Sequence, residues 1–355
     1  IPMSRVMAAH GRRPGLVLGY ALASAGAVGL ITAGVIRSFP LLLVASVLFG
    51  GATASNSQAR YAGADLALPQ HRARDLSIVV WATTVGSVIG PNLVGPSTPV
   101  AEALGLPVLT GPFLFSLLGL VLAIAVIVWR LRPDPLIEAR RRRVADGDDS
   151  GPAHGSVTRG LRVAAGIPPA RLGMLTLALG HVVMVSVMVM TPLHMNHGGA
   201  DLEVIGFVIS IHILGMFAFS PLTGLAVDRS GGRAVAVLGS VILSAAALLA
   251  SASPEGESLT LLLGLFLLGL GWSCTLVAGS TLLTAAVPAH ERPGAQGASD
   301  LLMGLMAAGG GALAGVVVHQ VSFEALALAA LAVAVSIGLA AALSGARPET
   351  ADTNA

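Results

Sequence analysis

Apolar runs separated by short polar turns occupy almost the whole chain. They fall at residues 14–36, 41–64, 76–94 and 113–129, then at 172–195, 202–227, 234–252, 259–287, 296–319 and 323–343. Each approaches or exceeds the ~20 apolar residues a helix needs to cross a bilayer. In hydrocarbon only helices and closed barrels satisfy their own backbone groups. The pattern predicts an all-α membrane protein, with four crossings before the longest polar stretch and six after it. That stretch holds Arg140-Arg141-Arg142-Arg143 and Asp146-Gly147-Asp148-Asp149, a composition that cannot build a core, and it reads as a flexible linker. The expected organisation is an N-terminal bundle over 1–130, a linker over 131–171, a C-terminal bundle over 172–345 and a tail over 346–355.

Composition sharpens this picture. The 355 residues are 54% hydrophobic and only 11% charged, against about 25% charged in soluble domains. All 20 basic residues are Arg. If the linker is cytoplasmic, 18 of the 20 lie on its side, leaving Arg37 opposite and Arg60 at the membrane boundary. That asymmetry follows the positive-inside rule and places linker and C-terminus in the cytoplasm. The basic balance is thus topological, and no nucleic-acid partner is expected. The single Cys274 rules out an intramolecular disulfide and a multi-Cys metal site. No His-Glu-x-x-His, Gly-x-Ser-x-Gly or Lys-bearing phosphate loop is present, so neither enzyme chemistry nor a cofactor is expected.

Two loops repeat at one spacing. Gly11-Arg12-Arg13 and Gly231-Gly232-Arg233 are offset by 220, Pro69-Gln70-His71-Arg72 and Pro288-Ala289-His290-Glu291 by 219, and Gly51 and Gly271 by 220. A shared offset argues for two halves related as parallel repeats. It sets Ile1 opposite Pro221, so residues 172–220 have no counterpart in the first half. The expectation is a protein lacking the first two of twelve helices, with 1–130 holding helices three to six; a genuine ten-helix protein is the alternative.

The charged turn at 224–233 resembles the loop signature of the major facilitator superfamily, which runs Gly, x, Leu, Ala, Asp, Arg, x, Gly, Arg, Arg/Lys. Gly224, Asp228, Arg229, Gly231 and Arg233 match in register, whereas Ala226, Val227 and Gly232 depart from it. The first-half copy keeps only Gly11, Arg12 and Arg13, with Ala8 and Ala9 where the family has Asp and Arg. The resemblance implies a two-bundle fold in which these loops gate one side. Arg12 and Arg13 would meet Asp65 or Asp300, and Arg229 or Arg233 would approach Asp75. The alternative is that Asp75 and Asp300 only complement a helix N-terminus. Gly86, Gly90, Pro91 and Gly95 are similar to the family's helix-five antiporter signature, with Gly95 one place late. An Arg common early in helix four is replaced by Ser46.

Ionisable groups at mid-membrane cost about 2.5–3.5 kcal/mol on insertion scales, so each is a functional candidate. Asn56 and Gln58 with Arg60, and His181, His194 and His212, are candidate substrate or proton groups, with Arg60 able to snorkel and each His equally able to pack as a neutral, hydrogen-bonded side chain. The resemblance implies a monomeric transporter in the cytoplasmic membrane, with the lipid bilayer as its surroundings, exporting a small-molecule substrate in exchange for protons. Nutrient import and a transport-inactive protein remain open.

Overall fold

The computed structural model describes residues 2–146 and 154–344. The tail at 346–355 and residues 147–149 of the acidic run lie outside the described residues. Contacts divide the chain into two units, 1–163 with 287–301, and 164–286 with 302–355. Along the first run α1 (Pro2–His10), α2 (Arg12–Ile36), α3 (Phe39–Phe49), α4 (Gly51–Asp65), α5 (Arg72–Asn92), α6 (Val94–Ala103), α7 (Gly111–Arg130), α8 (Pro135–Ala145) and α9 (Val157–Gly166). They are followed by α10 (Pro168–His197), α11 (Leu202–Phe217), α12 (Ser220–Ser251), α13 (Leu259–Ala286), α14 (Arg292–Gln320) and α15 (Phe323–Leu343). The part of α14 up to Leu301 belongs to the first unit.

Among the described residues, eight helical runs are long and apolar enough to cross a membrane. One of them, Glu203–Ser251, covers two of the expected crossings, and α5, interrupted by Thr83, Thr84 and Ser87, falls outside the set.

Several boundaries differ from the sequence expectation, each for a local reason. The turn expected at 224–233 is helical up to Ser230, and the chain breaks at Gly231 alone, with φ 82° and ψ 155°. The crossing expected at 202–227 is interrupted earlier, between Phe217 and Ser220. Pro221 has no N–H to offer the Phe217 carbonyl, and the Ser220 hydroxyl donates to that carbonyl at 2.8 Å. The loop expected at 96–110 holds α6, because Pro96 falls in the first helical turn, where its missing N–H has no intrahelical partner. The linker is not featureless. Asp134 accepts from the N–H groups of Leu136 and Ile137, Pro135 opens α8, and Glu138 pairs with Arg142 one turn on. Residues 2–10, which precede the first apolar run, are helical as well.

The 220-residue offset is visible in the backbone. Gly11 ends α1 at φ 96° and ψ 178°, matching the conformation of Gly231 at the equivalent break. Only Gly adopts this region at low cost. Arg72 and Arg292, again 220 apart, open α5 and α14. A Cβ on Gly51 would stand 2.7 Å from the Gly19 carbonyl oxygen, and one on Gly239 would stand 3.2 Å from that of Gly271. The same glycine pair therefore lets the same two helices close up in each half.

Cover is unequal between the halves. In the second unit α13 packs against α10, α11 and α12, and 72% of its apolar window is buried. The equivalent run in the first unit, Phe39–Asp65, is 11% buried. No described helix of the first unit takes the places of α10 and α11, as the repeat offset requires. Leu43, Val44 and Val47 of α3 are exposed.

Candidate functional site

The N-terminus of α2 and the end of α4 meet in a buried ion network. Arg12 is fully buried. Its Nε donates to Asp65 Oδ2 at 2.7 Å and Nη2 to Asp65 Oδ1 at 3.0 Å, a bidentate pair. Nη2 also donates to Gln296 Oε1 at 2.8 Å, and Nη1 to Gln58 Oε1 at 3.2 Å and Met7 Sδ at 3.6 Å. All five guanidinium N–H groups are thus placed. Gln58 passes the connection on, donating through Nε2 to Asp300 Oδ2. Arg60 donates to the other oxygen of Asp300 at 2.7 Å and to the Tyr61 hydroxyl at 3.0 Å, with its guanidinium 4.5 Å from the Tyr61 ring centre.

Two Arg and two Asp therefore neutralise one another within the first unit. A lone buried charge would be very costly, whereas a paired and fully hydrogen-bonded set is tolerated. Asp134 supports the arrangement from outside, its carboxylate accepting from the backbone N–H groups of Arg12 at 3.0 Å and Arg13 at 2.8 Å. A Cβ on Gly11 would lie 2.5 Å from that carboxylate, so glycine is needed there for space as well as conformation.

Several sequence expectations change here. Arg12 meets Asp65, but the partner of Asp300 is Arg60, and only the backbone of Arg13 takes part in the hydrogen bonds described. Arg60 does not snorkel; it is 4% exposed and held by Asp300 and Tyr61. Asp300 is not in a first helical turn, since α14 begins at Arg292, whereas Asp75 is in that of α5 and pairs with its neighbour Arg74 at 3.2 Å. In the second unit, Gly224 is buried near the start of α12, Asp228 is half-buried, and Arg229, Gly231 and Arg233 are exposed. The repeat explains the contrast. Opposite Arg12 and Gln58 stand Gly232 and Ala278, and a Cβ on Gly232 would touch Leu282 and the Ala278 carbonyl. One junction is ionic in the first half and apolar in the second. Asp134, Gln296 and Tyr61 were not singled out from sequence; the Asp134-Pro135 pair, a helix-start signal, was the only hint.

A cavity of about 440 Å³ opens between α4 and α5, lined by Asn56, Val79, Ala82, Thr83, Gly86 and Ser87. Its volume is that of small-molecule sites. Asn56 and Gly86, chosen from sequence for different reasons, share this one wall. Among the described residues no helix packs onto these glycines: a Cβ at Gly86, Gly90 or Gly95 would meet no described atom within 4 Å. Pro91 lies near the end of α5, its side chain outside the described set, and has no N–H for the Ser87 carbonyl.

The three candidate His residues, all in the second unit, each have a partner. The Trp272 indole N–H donates to His181 Nδ1 at 2.8 Å, so that nitrogen carries no proton. His212, 1% exposed, is 2.8 Å through Nδ1 from the Leu265 carbonyl, which fixes the proton on Nδ1, and its Nε2 has no partner among the described residues. His194 stacks on Phe323 at 4.1 Å and lies 3.4 Å from the Ser253 hydroxyl.

Repeated apolar helices, a buried ion network and an open, ligand-sized hollow on the first unit describe a polytopic membrane protein. The family model described as Major Facilitator Superfamily matches residues 1–200 and 173–355, and the chain belongs to that family. It is accordingly a multi-pass secondary transporter. The MFS-type transporter YdeG of Bacillus subtilis, itself described as uncharacterized, is 39% identical over 326 residues, covering 92% of this chain and 75% of YdeG. The riboflavin transporter RfnT of Brucella anthropi is 27% identical over 333 residues, covering 92% and 78%. Among solved structures, FucP in its outward conformation superposes with a TM-score of 0.73 at 16% identity, covering 97% of this chain and 86% of FucP. The human organic anion transporter MFSD10 gives 0.70 at 18%, covering 96% and 79%.

Proposed function

We propose that this transporter exports a small organic molecule across the cytoplasmic membrane in exchange for protons, by alternating access, as a monomer with linker and C-terminus in the cytoplasm. The observation that carries the reading is the cavity between α4 and α5, bordered by Gly86 of the antiporter-like Gly86, Gly90, Pro91 series and open at that glycine. In this reading the Arg12, Asp65, Arg60 and Asp300 network closes one side in one state, and the 224–233 segment serves the second half. His181, His194 and His212 are the proton candidates, because a His needs only a small shift to titrate near neutrality.

The test is direction. Everted vesicles carrying the protein, given an inside-acid gradient, are expected to accumulate substrate and to lose it on adding a protonophore. Accumulation only in right-side-out vesicles, driven by an inward proton gradient, overturns export. That outcome would favour nutrient uptake, a second reading supported by the relative named for riboflavin transport.

A further inference from the structure

The wall between α4 and α5 has a definite chemical character. Three of its six described lining residues are polar and neutral, Asn56, Thr83 and Ser87, and none of the six is an acid or a base. The nearest ionic group along α4 is Arg60, one turn beyond Asn56, and it is already neutralised by Asp300. On α5 the nearest acid, Asp75, lies one turn before Val79 and is paired with Arg74, so a charged solute at this wall meets no unpaired counter-charge among the lining residues and would give up hydration without a partner.

The hydrogen-bonding roles can be read one by one. The Thr83 hydroxyl donates to the Val80 carbonyl at 2.6 Å, so toward the cavity it can only accept. Asn56 offers both a carbonyl oxygen and an amide, and Ser87 offers a hydroxyl that donates or accepts. Val79 and Ala82 give an apolar surface alongside. The matching solute carries a hydrogen-bond donor for Thr83, an acceptor for the Asn56 amide, a hydroxyl or amide for Ser87, and an apolar body.

We infer that the cavity between α4 and α5 selects an uncharged, hydroxyl- or amide-bearing organic molecule. The inference rests on the transport reading and adds the substrate's charge to it. The full chain reconstituted in liposomes is assayed with two matched pairs: riboflavin against its phosphate monoester, and chloramphenicol against its succinate ester. At least one neutral member is expected to be carried, and its charged partner at least about tenfold more slowly, the factor expected from one unmet polar requirement. In the Asn56→Asp protein, which is nearly isosteric but adds a carboxylate, the KM for the neutral member is expected to rise by about tenfold on the same grounds, with detergent-solubilised protein still monodisperse.

Equal flux of a charged and a neutral partner, or an unchanged KM in Asn56→Asp, overturns the inference and leaves transport standing. No flux of either neutral member above empty liposomes likewise overturns the inference, whereas the export reading stands or falls on the direction measured in everted vesicles.

Discussion

Replacing Asp65 with Asn would leave the Arg12 guanidinium facing an amide group in place of one carboxylate oxygen, at a site where the two side chains are 0% and 4% exposed. Water cannot reach in to compensate. Breaking a buried pair from one side costs about 3–5 kcal/mol, because the remaining charge stays desolvated. Gln58 and Gln296 would still hold Arg12, which puts the expected loss at the lower end, about 3 kcal/mol. Equilibrium unfolding in mixed SDS and phospholipid micelles reads this directly, and a double-mutant cycle with Arg12→Ala and Asp65→Ala isolates the pair. The double variant should lose less than the sum of the singles by about 2 kcal/mol. The exposed pair Arg142 and Glu138, 64% and 24% accessible, is the internal control and should show about 0.3–0.5 kcal/mol. Additive losses at Arg12 and Asp65, or a single loss no larger than the control, would refute the claim that this network is buried and energetically coupled.

Three further outcomes follow from the same coordinates. Gly11→Ala should destabilise by about 1–3 kcal/mol, since it meets both a positive φ and the Asp134 carboxylate, and the same unfolding assay measures it. Gly86→Leu should cut flux severely while leaving thermal stability nearly unchanged, because a Cβ there meets nothing within 4 Å; a large stability loss with normal flux would contradict the cavity assignment. Asp228→Asn should impair transport with normal membrane insertion, judged by vesicle flux alongside membrane yield, and unchanged flux would remove the 224–233 segment from the gating account.

The fold was legible because its cause is compositional: apolar runs near bilayer length leave helices as the available answer, and the loop offset fixed the repeat. What stayed hidden depended on partners distant in sequence. Arg60 looked like an interfacial side chain since nothing near it marks Asp300 as its counter-ion. Arg12 sat in the more degraded copy of the signature, yet it holds the buried pair, whereas the better-matching copy has Gly232 and Ala278 at that junction. Pattern matching ranks a loop by its own letters, but burial of an ion pair is decided by the helix it faces. The helix within 96–110 and those of the linker were missed for another reason. Pro96 and Pro135 each fall in a first helical turn, where proline is at home, and neither helix lies within an apolar run of the sequence.

Asp300 follows Arg60 by 240 residues. At a synthesis rate of roughly 5–20 residues per second, Arg60 therefore waits on the order of 12–48 s before its counter-ion leaves the ribosome. Leaving that guanidinium unpaired in hydrocarbon costs about 2.5–3.5 kcal/mol, which favours an Arg60 held at the lipid–water boundary until then. It can settle to its final depth only when the first turns of α14 arrive. The ion pair thus sets a schedule for assembly: the first unit, though built almost wholly from early sequence, is finished late.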